Sequence, residues 1–219
     1  MSARPGRPSR SQVVLREILC SLVRLLLGAA RVGEVPPRGA HAQAIFFANH
    51  TSHLDTVVLL AALPLRWRLR VRPVAARDYW RRGKVRRWIA EKVLNVVYID
   101  RQRENAEDPL NPVREALREG ASLILFPEGT RGDDALPGSF KAGLHKLAEE
   151  FPDLTLAPAY LENPNRTLPK GSILVLPLIN RVRFGPALAR LENETRAPFL
   201  ERARAAVCDL APYTKPPSP

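Results

Sequence analysis

Asn49-His50-Thr51-Ser52-His53-Leu54-Asp55 is a polar stretch between two apolar segments of different kinds. Residues 44–48 form a short apolar run before it, which predicts a buried strand. Residues 56–62 contain no Gly or Pro and end just before Pro64, which predicts a helix with Thr51 or Ser52 as its N-cap. This strand, turn and helix would carry Asp55 back toward the imidazole of His50.

The histidine and the aspartate of this turn suit two kinds of site. A carboxylate bound to one imidazole nitrogen fixes the tautomer and leaves the other nitrogen able to take a proton, as a general base does. Alternatively, His50, His53 and Asp55 could contribute to a metal site, although His41 and His145 offer no convincing further ligand. A His and an Asp at this spacing also occur together by chance, so the turn alone leaves these interpretations open.

Length, charge and cysteine content limit the classes to which the chain can belong. Its 219 residues, 45% of them hydrophobic, suffice for a single domain with a substantial core. The formal charge of +12 and the pI near 10.6 predict an anionic partner, either nucleic acid or an anionic membrane surface. Cys20 and Cys208 form no metal or redox motif, and no secretory signal is apparent. Both observations favour a protein that resides in a reducing cytoplasm.

The N-terminal apolar segment, residues 11–33, is predicted to be an amphipathic helix at the membrane interface. Its apolar face is wide, and its polar residues recur at steps of three and four. Charges such as those of Arg16, Glu17 and Arg24 would be costly in a bilayer, so a transmembrane span is not expected. The same pattern suits a helix packed on the domain's own core, and the sequence leaves both alternatives open.

A basic region follows the helix of the opening turn. Residues 65–72 alternate strictly between apolar residues and arginine, which predicts a strand with one cationic face. Residues 78–88 add further arginines, with Tyr79, Trp80 and Trp88 among them. Such a surface suits single-stranded nucleic acid or the lipid headgroup layer, and it is also typical of a solvated basic face.

Strand and helix patterns alternate along the rest of the chain. The predicted strands are residues 92–99, 121–126, 155–160 and 173–184, and the predicted helices are 112–119, 140–151 and 195–210. Ser139 is the expected N-cap of the second helix, with Lys141 in its first turn. We therefore expect an α/β fold, in which a single domain (residues 40–211) has a central, largely parallel or mixed sheet flanked by helices and preceded by the N-terminal helix. Residues 1–10 and 212–219 are expected to be disordered.

Four blocks in this order resemble the glycerolipid acyltransferase family, whose best-known members are 1-acyl-glycerol-3-phosphate acyltransferases. The first is the opening stretch, a His separated by four residues from an Asp. The second is Val96-Val97-Tyr98-Ile99-Asp100-Arg101, preceded by Asn95 where glycine is common, and the third and most specific is Phe126-Pro127-Glu128-Gly129-Thr130-Arg131. Leu156-Ala157-Pro158-Ala159 is similar to the fourth, and Phe140-Lys141-Ala142-Gly143 also fits the pattern. The likeness covers roughly residues 40–190.

The resemblance implies the glycerolipid acyltransferase fold and a transfer of a fatty acyl group from acyl-CoA or acyl carrier protein to the hydroxyl of a lysophospholipid. The favoured acceptor is 1-acyl-glycerol-3-phosphate, which would give phosphatidate. The resemblance also implies His50 as the general base and Asp55 as its orienting carboxylate. The residues implied to hold the acceptor and its phosphate are Arg101, Glu128, Gly129, Thr130, Arg131 and Lys141. No metal and no cofactor other than the acyl-donor substrate is expected.

The chemistry of acyl transfer agrees with these residue types. A base that takes the proton of an attacking alcohol is worth ~10²–10⁴-fold in rate, and a thiolate leaves without much acid help. No enzyme nucleophile is then required, and Ser52 is expected to cap the turn rather than carry an acyl group. We expect a peripheral or monotopic protein on the cytoplasmic face of an anionic membrane, without a nucleic-acid partner. The alternatives are the same chemistry on another lysolipid and a basic nucleic-acid-binding module, which would leave the third block unexplained.

Overall fold

The fold is described from a computed structural model, which describes residues 9–36, 42–77, 83–100, 108–132, 134, 136–162 and 180–212. Most of the predicted disordered ends lie outside these residues, as do Arg101, Tyr79 and Trp80. The first part of the strand predicted at residues 173–184 lies outside them as well.

In this part of the chain, strands form one sheet that lies at the centre of the molecule. They are β1 (Ala30–Val32), β2 (Ala44–Ala48), β3 (Val71–Ala76), β4 (Val97–Ile99), β5 (Ser122–Leu125), β6 (Thr155–Glu162) and β7 (Arg181–Phe184). Their order across the sheet is β1-β7-β6-β2-β5-β3-β4. Neighbouring strands are parallel except for β6 and β7, which are antiparallel. The predicted α/β class with a largely parallel, mixed sheet is confirmed.

Helices cover both faces of the sheet. They are α1 (Arg10–Leu27), α2 (Asp55–Ala62), α3 (Leu65–Arg68), α4 (Lys84–Trp88), α5 (Asn111–Arg118), α6 (Gly143–Glu150) and α7 (Arg196–Cys208), with a π-helical segment (Ile89–Leu94) that continues α4. The core on one face is formed with α1, α2 and the π-helical segment, and the core on the other face with α5, α6 and α7. Because the sheet is covered on both sides, all five residues of β2 are buried, as expected for a central parallel strand.

Two predicted strands are helical in their first half. One of them is the stretch at residues 65–72, in which apolar residues alternate with arginine. Residues 65–68 form α3, and the chain enters β3 only at Val71. The pattern placed Arg68 on a solvent face, whereas Arg68 is buried and its guanidinium donates to the carboxylate of Glu17 at 2.8 and 2.6 Å and to the carbonyl of Leu63. The pattern also placed Leu65 inside, but that side chain is 51% exposed.

The predicted strand at residues 92–99 is confined to β4. The preceding residues belong to the π-helical segment, in which Val93 and Leu94 are apolar because they pack into the core. A short apolar run does not distinguish a strand from a buried helix. Asn95 joins the two elements with φ of +52°, a left-handed conformation that Gly and Asn adopt most readily. This backbone requirement explains why Asn can replace glycine at that position of the second block.

Two predicted helix starts are also wrong. The N-cap of α2 is Leu54 rather than Thr51 or Ser52, because the amides of that turn donate to Asp55 instead. The helix α6 begins at Gly143, so Lys141 precedes it rather than lying in its first turn. By contrast, β5, β6, α5 and α7 lie within two residues of their predicted bounds.

The N-terminal helix α1 both packs on the domain and presents apolar side chains outward. Cys20, Val23 and Leu27 are buried against the core. On the outside, a row at helical spacing is largely exposed: Val14, Ile18, Leu22, Leu25 and Leu26. Among the described residues, no helix has the length and apolar content needed to cross a membrane. The helix therefore packs on the domain's own core, and its position at a membrane interface stays a prediction.

Candidate active site

The candidate site lies where the central strands β2 and β5 end side by side. These strands are parallel neighbours, with Phe47 paired to Leu125, so the residues that follow them meet at one edge of the sheet. The segment after β2 carries His50, and the segment after β5 carries Glu128. The carboxyl edge of a parallel sheet is the usual place for a site in an α/β fold.

Asn49 fixes the direction in which the chain leaves β2. Its side chain is 1% exposed, and its Oδ1 accepts from the amide of Leu161 at 2.8 Å while its Nδ2 donates to the carbonyl of Leu161 at 3.2 Å. These bonds continue the pairing of β2 with β6 by one residue beyond the strand. The position of His50 is therefore set by the sheet itself.

His50 and Asp55 form a hydrogen-bonded pair. The Nδ1 of His50 lies 2.8 Å from Oδ2 of Asp55, whose side chain is fully buried. The same oxygen accepts from the amides of Thr51 at 2.7 Å and Ser52 at 2.9 Å. Because an ionised carboxylate only accepts, the imidazole proton belongs on Nδ1, and Nε2 is the nitrogen that can take a proton.

The imidazole of His50 is held on a second side by an aromatic ring. The Phe126 ring is stacked on it, with ring centroids 4.3 Å apart and an angle of 18° between the planes. The His50 side chain is 19% exposed, so the ring keeps access to the surface while two neighbours fix its orientation. A fixed imidazole with one accessible nitrogen suits proton transfer.

Glu128 ties the loop after β5 to the histidine turn. Its Oε1 accepts from the amide of His50 at 2.8 Å, and its Oε2 accepts from the amide of Gly138 at 2.9 Å. In return, the amide of Gly132 donates to the carbonyl of His50 at 2.8 Å. Glu128 is 9% exposed, so this carboxylate lies behind the histidine and bonds to the backbone.

Gly129 and Lys141 are in close contact on the outer side of the loop. Gly129 has φ of +73°, and a Cβ atom there would lie 2.7 Å from Nζ of Lys141. The amide of Lys141 donates to the carbonyl of Pro127 at 2.8 Å, which holds the exposed lysine beside the loop. Glycine is needed at 129 both for the left-handed backbone and for the space that the lysine side chain occupies.

Arg131 and His53 meet at the exposed edge of the site. An Nη1 of Arg131 contacts Nε2 of His53, and because a guanidinium can only donate, the imidazole is the acceptor and is neutral. Burial lowers the pKa of His53, and the nearby positive charge of Arg131, then that of Arg86 and the neighbouring His50, lower it further, while Asp55 opposes them. The positive charges of Arg131 and Arg86 therefore both act on the imidazole of His53 in the histidine turn.

The family of the chain follows from its sequence taken together with this geometry. The sequence profile of the acyltransferase family matches residues 32–162, a range that holds the histidine turn and the Glu128 loop. The chain belongs to the acyltransferase family.

This acyltransferase is similar to several 1-acyl-sn-glycerol-3-phosphate acyltransferases. It is 28% identical to a chloroplastic one from Arabidopsis thaliana over 72% of this chain and 44% of that protein. It is 30% identical to a probable one from Mycoplasma pneumoniae over 57% of this chain and 47% of that protein. The match thus spans less than half the length of these relatives. The crystal structure of PlsC from Thermotoga maritima, 24% identical, has the same fold with a TM-score of 0.67 over 92% of this chain and 82% of that one.

The described residues of the set proposed from sequence lie on or beside the histidine turn and the loop after β5. His50 and Asp55 are paired, Glu128 lies behind them, and Arg131 is at the exposed edge, while Arg101 lies outside the described residues. Thr130 is exposed on the loop. Among the residues that the structure describes, no group of three or more His, Cys, Asp or Glu side chains could hold a metal ion.

Four features of the site were not inferred from the sequence. They are the strand-extending bonds of Asn49, the stacking of Phe126, the contact of His53 with Arg131 and the effect of the Arg86 charge on the pKa of His53. Asn49 gave a usable signal, since a polar amide directly after a buried strand must find partners. The other three depend on distances between elements far apart in the sequence, which no local pattern encodes.

Proposed function

We propose that this acyltransferase moves a fatty acyl group from an acyl thioester to the free hydroxyl of 1-acyl-glycerol-3-phosphate, giving phosphatidate. The observation that carries the proposal is the 2.8 Å bond from His50 to a fully buried Asp55 beside a cationic loop. The names of the similar proteins favour the same acceptor. Acyl-CoA and acyl carrier protein both remain candidate donors, because each is an anionic thioester.

In the proposed reaction, Nε2 of His50 takes the proton of the acceptor hydroxyl as its oxygen attacks the thioester carbonyl carbon. Asp55 holds the imidazole in the Nδ1–H tautomer and stabilises the imidazolium that forms. The tetrahedral intermediate then collapses, its carbon–sulfur bond breaks, and the departing sulfur receives the proton from His50. A new ester and a free thiol result, and the histidine returns to its starting state.

The acceptor's phosphate is proposed to lie against the exposed cations of the Glu128 loop. The guanidinium of Arg131 can make paired, charge-assisted bonds to phosphate oxygens, and Lys141 can add a point charge beside Gly129. Glu128 would contribute indirectly, by holding the loop on the histidine turn. Arg101 remains a proposed phosphate ligand on the strength of the second block alone.

We further propose that the protein works on the cytoplasmic face of an anionic membrane. The exposed apolar row of α1 supports this, as does α4, where Val85 is 72% and Trp88 is 49% exposed between basic residues. The π-helical segment that continues α4 packs into the same core as α1, so the two helical elements lie on the same face of the sheet. Apolar and indole side chains with nearby cations suit a headgroup layer.

The test is acyl transfer to lysophosphatidate in non-ionic detergent micelles, with acyl-CoA and acyl carrier protein compared as donors. We expect His50→Ala to lower kcat by ~10²–10⁴-fold, because the hydroxyl loses its base. His145→Gln is the matched control, since His145 lies on α6, where it packs against Phe199 and pairs with Glu149. Near wild-type turnover by His50→Ala would refute the mechanism, and transfer to neutral acceptors alone would refute the proposed substrate.

A further inference from the structure

The C-terminal helix α7 reaches the Glu128 loop through one arginine. This helix lies beyond residues 32–162, the range that the family profile matches, and its inner side chains are buried in the core. The Nε of Arg204 donates to the carbonyl of Pro137 at 2.9 Å. A helix outside the family's sequence pattern therefore holds the loop that carries Glu128.

One peptide group connects Arg204 to Glu128. The carbonyl that accepts from Arg204 and the amide that donates to Oε2 of Glu128 at 2.9 Å belong to the same peptide bond, between Pro137 and Gly138. This bond is trans, as are all those of the described residues, so its C=O and N–H point in opposite directions. A cation at the oxygen and a carboxylate at the N–H polarise the group in the same sense, so each bond strengthens the other.

The connection continues to the candidate base. The other oxygen of Glu128 accepts from the amide of His50 at 2.8 Å, so a series of hydrogen bonds leads from the guanidinium on α7 to the backbone of His50. Glu128 and Pro137 are buried, which protects these bonds from exchange with water. A carboxylate that is fixed at one oxygen has less freedom to move at the other.

We infer that Arg204 is a positioning residue for the candidate base, acting through the Pro137–Gly138 peptide and Glu128 on His50. This inference rests on the proposed function, in which His50 takes a proton. Misplacing a reacting group by 1 Å can cost ~10²-fold in rate, whereas binding of the acceptor does not depend on the exact position of the base. Loss of Arg204 should therefore lower kcat and leave the KM for lysophosphatidate unchanged.

Arg202 provides a matched control on the same helix. The side chains of Arg202 and Arg204 are each 32% exposed, and each bonds one carboxylate and one backbone carbonyl. For Arg202 these partners are Glu194 at 2.6 Å and Ala189 at 2.9 Å, and neither lies on the loop after β5. Substitution by methionine keeps the apolar stem and removes the charge and every N–H. A difference in activity between the two variants therefore depends on which carbonyl the arginine holds.

The experiment measures acyl transfer to lysophosphatidate in non-ionic micelles by Arg204→Met, Arg204→Lys and Arg202→Met. We expect Arg204→Met to lower kcat roughly 10-fold with little change in KM, and Arg202→Met to match wild type. Arg204→Lys should recover part of the lost kcat, because lysine restores a charge and a donor. Equal losses by the two methionine variants would overturn the inference, and so would a raised KM with unchanged kcat, which would assign Arg204 to substrate binding.

A double-mutant cycle tests the route through Glu128. In the Glu128→Gln background the carboxylate is already lost, so Arg204→Met should lower kcat much less than it does in wild type. Arg202→Met has no such coupling to Glu128. If the reductions of kcat by Glu128→Gln and Arg204→Met multiply in full, Arg204 does not act through Glu128 and the inference is wrong.

Hydrogen exchange tests the positioning without any substrate. The amides of His50 and Gly138 should exchange faster in Arg204→Met than in wild type or Arg202→Met, as measured by NMR of the nitrogen-labelled protein. Unchanged exchange at both amides would overturn the inference. If wild-type protein acylates no lysophospholipid, the proposed function fails instead, and the exchange rates still decide whether Arg204 fixes the backbone of His50.

Discussion

At the scale of single residues, Glu128 shows how a charged group can serve a site without facing its substrate. Both of its carboxylate oxygens accept from backbone amides, those of His50 and Gly138. With 9% of its surface exposed, it has little access to an acceptor lipid in this arrangement. The role as an acceptor ligand implied by the family resemblance stays a prediction, and the geometry offers a different one, which is to position the base.

Substitution of Glu128 by Gln separates these two roles. The amide keeps one acceptor but turns an –NH₂ group toward a backbone N–H, so the amide of either His50 or Gly138 loses its partner. We expect kcat to fall as His50 loses its fixed position, the KM for lysophosphatidate to change little, and the free energy of unfolding to fall by about 1–3 kcal/mol. Steady-state kinetics and thermal unfolding measure all three. A large rise in KM with unchanged kcat would show that Glu128 binds the acceptor.

The pairing of His50 with Asp55 was predictable from the sequence, because strand, turn and helix signals all lie within one short segment. The behaviour of Glu128 and His53 was not, because backbone amides and a guanidinium from a distant loop are their partners. A side chain's local sequence says what it can bond to, but only the assembled fold says which partner is within reach.

At the scale of elements, the contacts made in the assembled fold explain which helices and strands could be predicted correctly from the sequence. The strands β2, β5 and β6 are continuous apolar runs because the sheet is covered on both faces, and they were predicted. The start of β3 was misplaced because Arg68 is buried in an ion pair with α1, which a period-two pattern counts as solvent-exposed. Tertiary contacts override local pattern at that point.

The exposed row of α1 leads to a prediction for membrane binding. Leu25 is 79% exposed, and a buried leucine side chain is worth ~1.5–3 kcal/mol, so Leu25→Gln should weaken binding to phosphatidylglycerol-containing vesicles by about 10-fold or more. Leu191→Gln is the control: Leu191 is 56% exposed and lies three residues before Glu194, which pairs with Arg202 of α7 on the other side of the sheet. Flotation with vesicles measures both, and equal binding by the two variants would contradict the prediction.

At the scale of the whole molecule, the distribution of charge agrees with an anionic partner. Several carboxylates pair with arginines away from the site, including Glu17 with Arg68, Glu150 with Arg114 and Glu194 with Arg202. Each of these pairs is neutral, so the net charge of +12 comes from the excess of Lys and Arg over Asp and Glu in the rest of the chain. Such a field attracts anionic lipid and anionic substrates alike.

One buried arginine contributes strongly to the attachment of α1 to the rest of the molecule. Arg16 is 2% exposed and donates to four backbone carbonyls, those of Arg68, Val71, Val93 and Leu94. These carbonyls lie in and after α3 and in the π-helical segment that leads to β4. Removal of the guanidinium would leave buried acceptors unsatisfied, so the helix should separate from the domain more easily.

Cys20 reports that separation because burial raises its pKa to about 11. Only an accessible thiolate reacts, and Cys20 is 1% exposed, so at pH 8 an alkylating reagent should modify Cys20 at least ~100-fold more slowly than an exposed thiol of ordinary pKa. In Arg16→Leu we expect Cys20 to become reactive at pH 8 while Cys208 on α7, only partly buried, keeps its rate and serves as the internal control. Mass spectrometry of the labelled peptides distinguishes the two sites. An unchanged Cys20 rate would mean that apolar packing alone holds α1, and a rise at both cysteines would indicate unfolding of the whole domain.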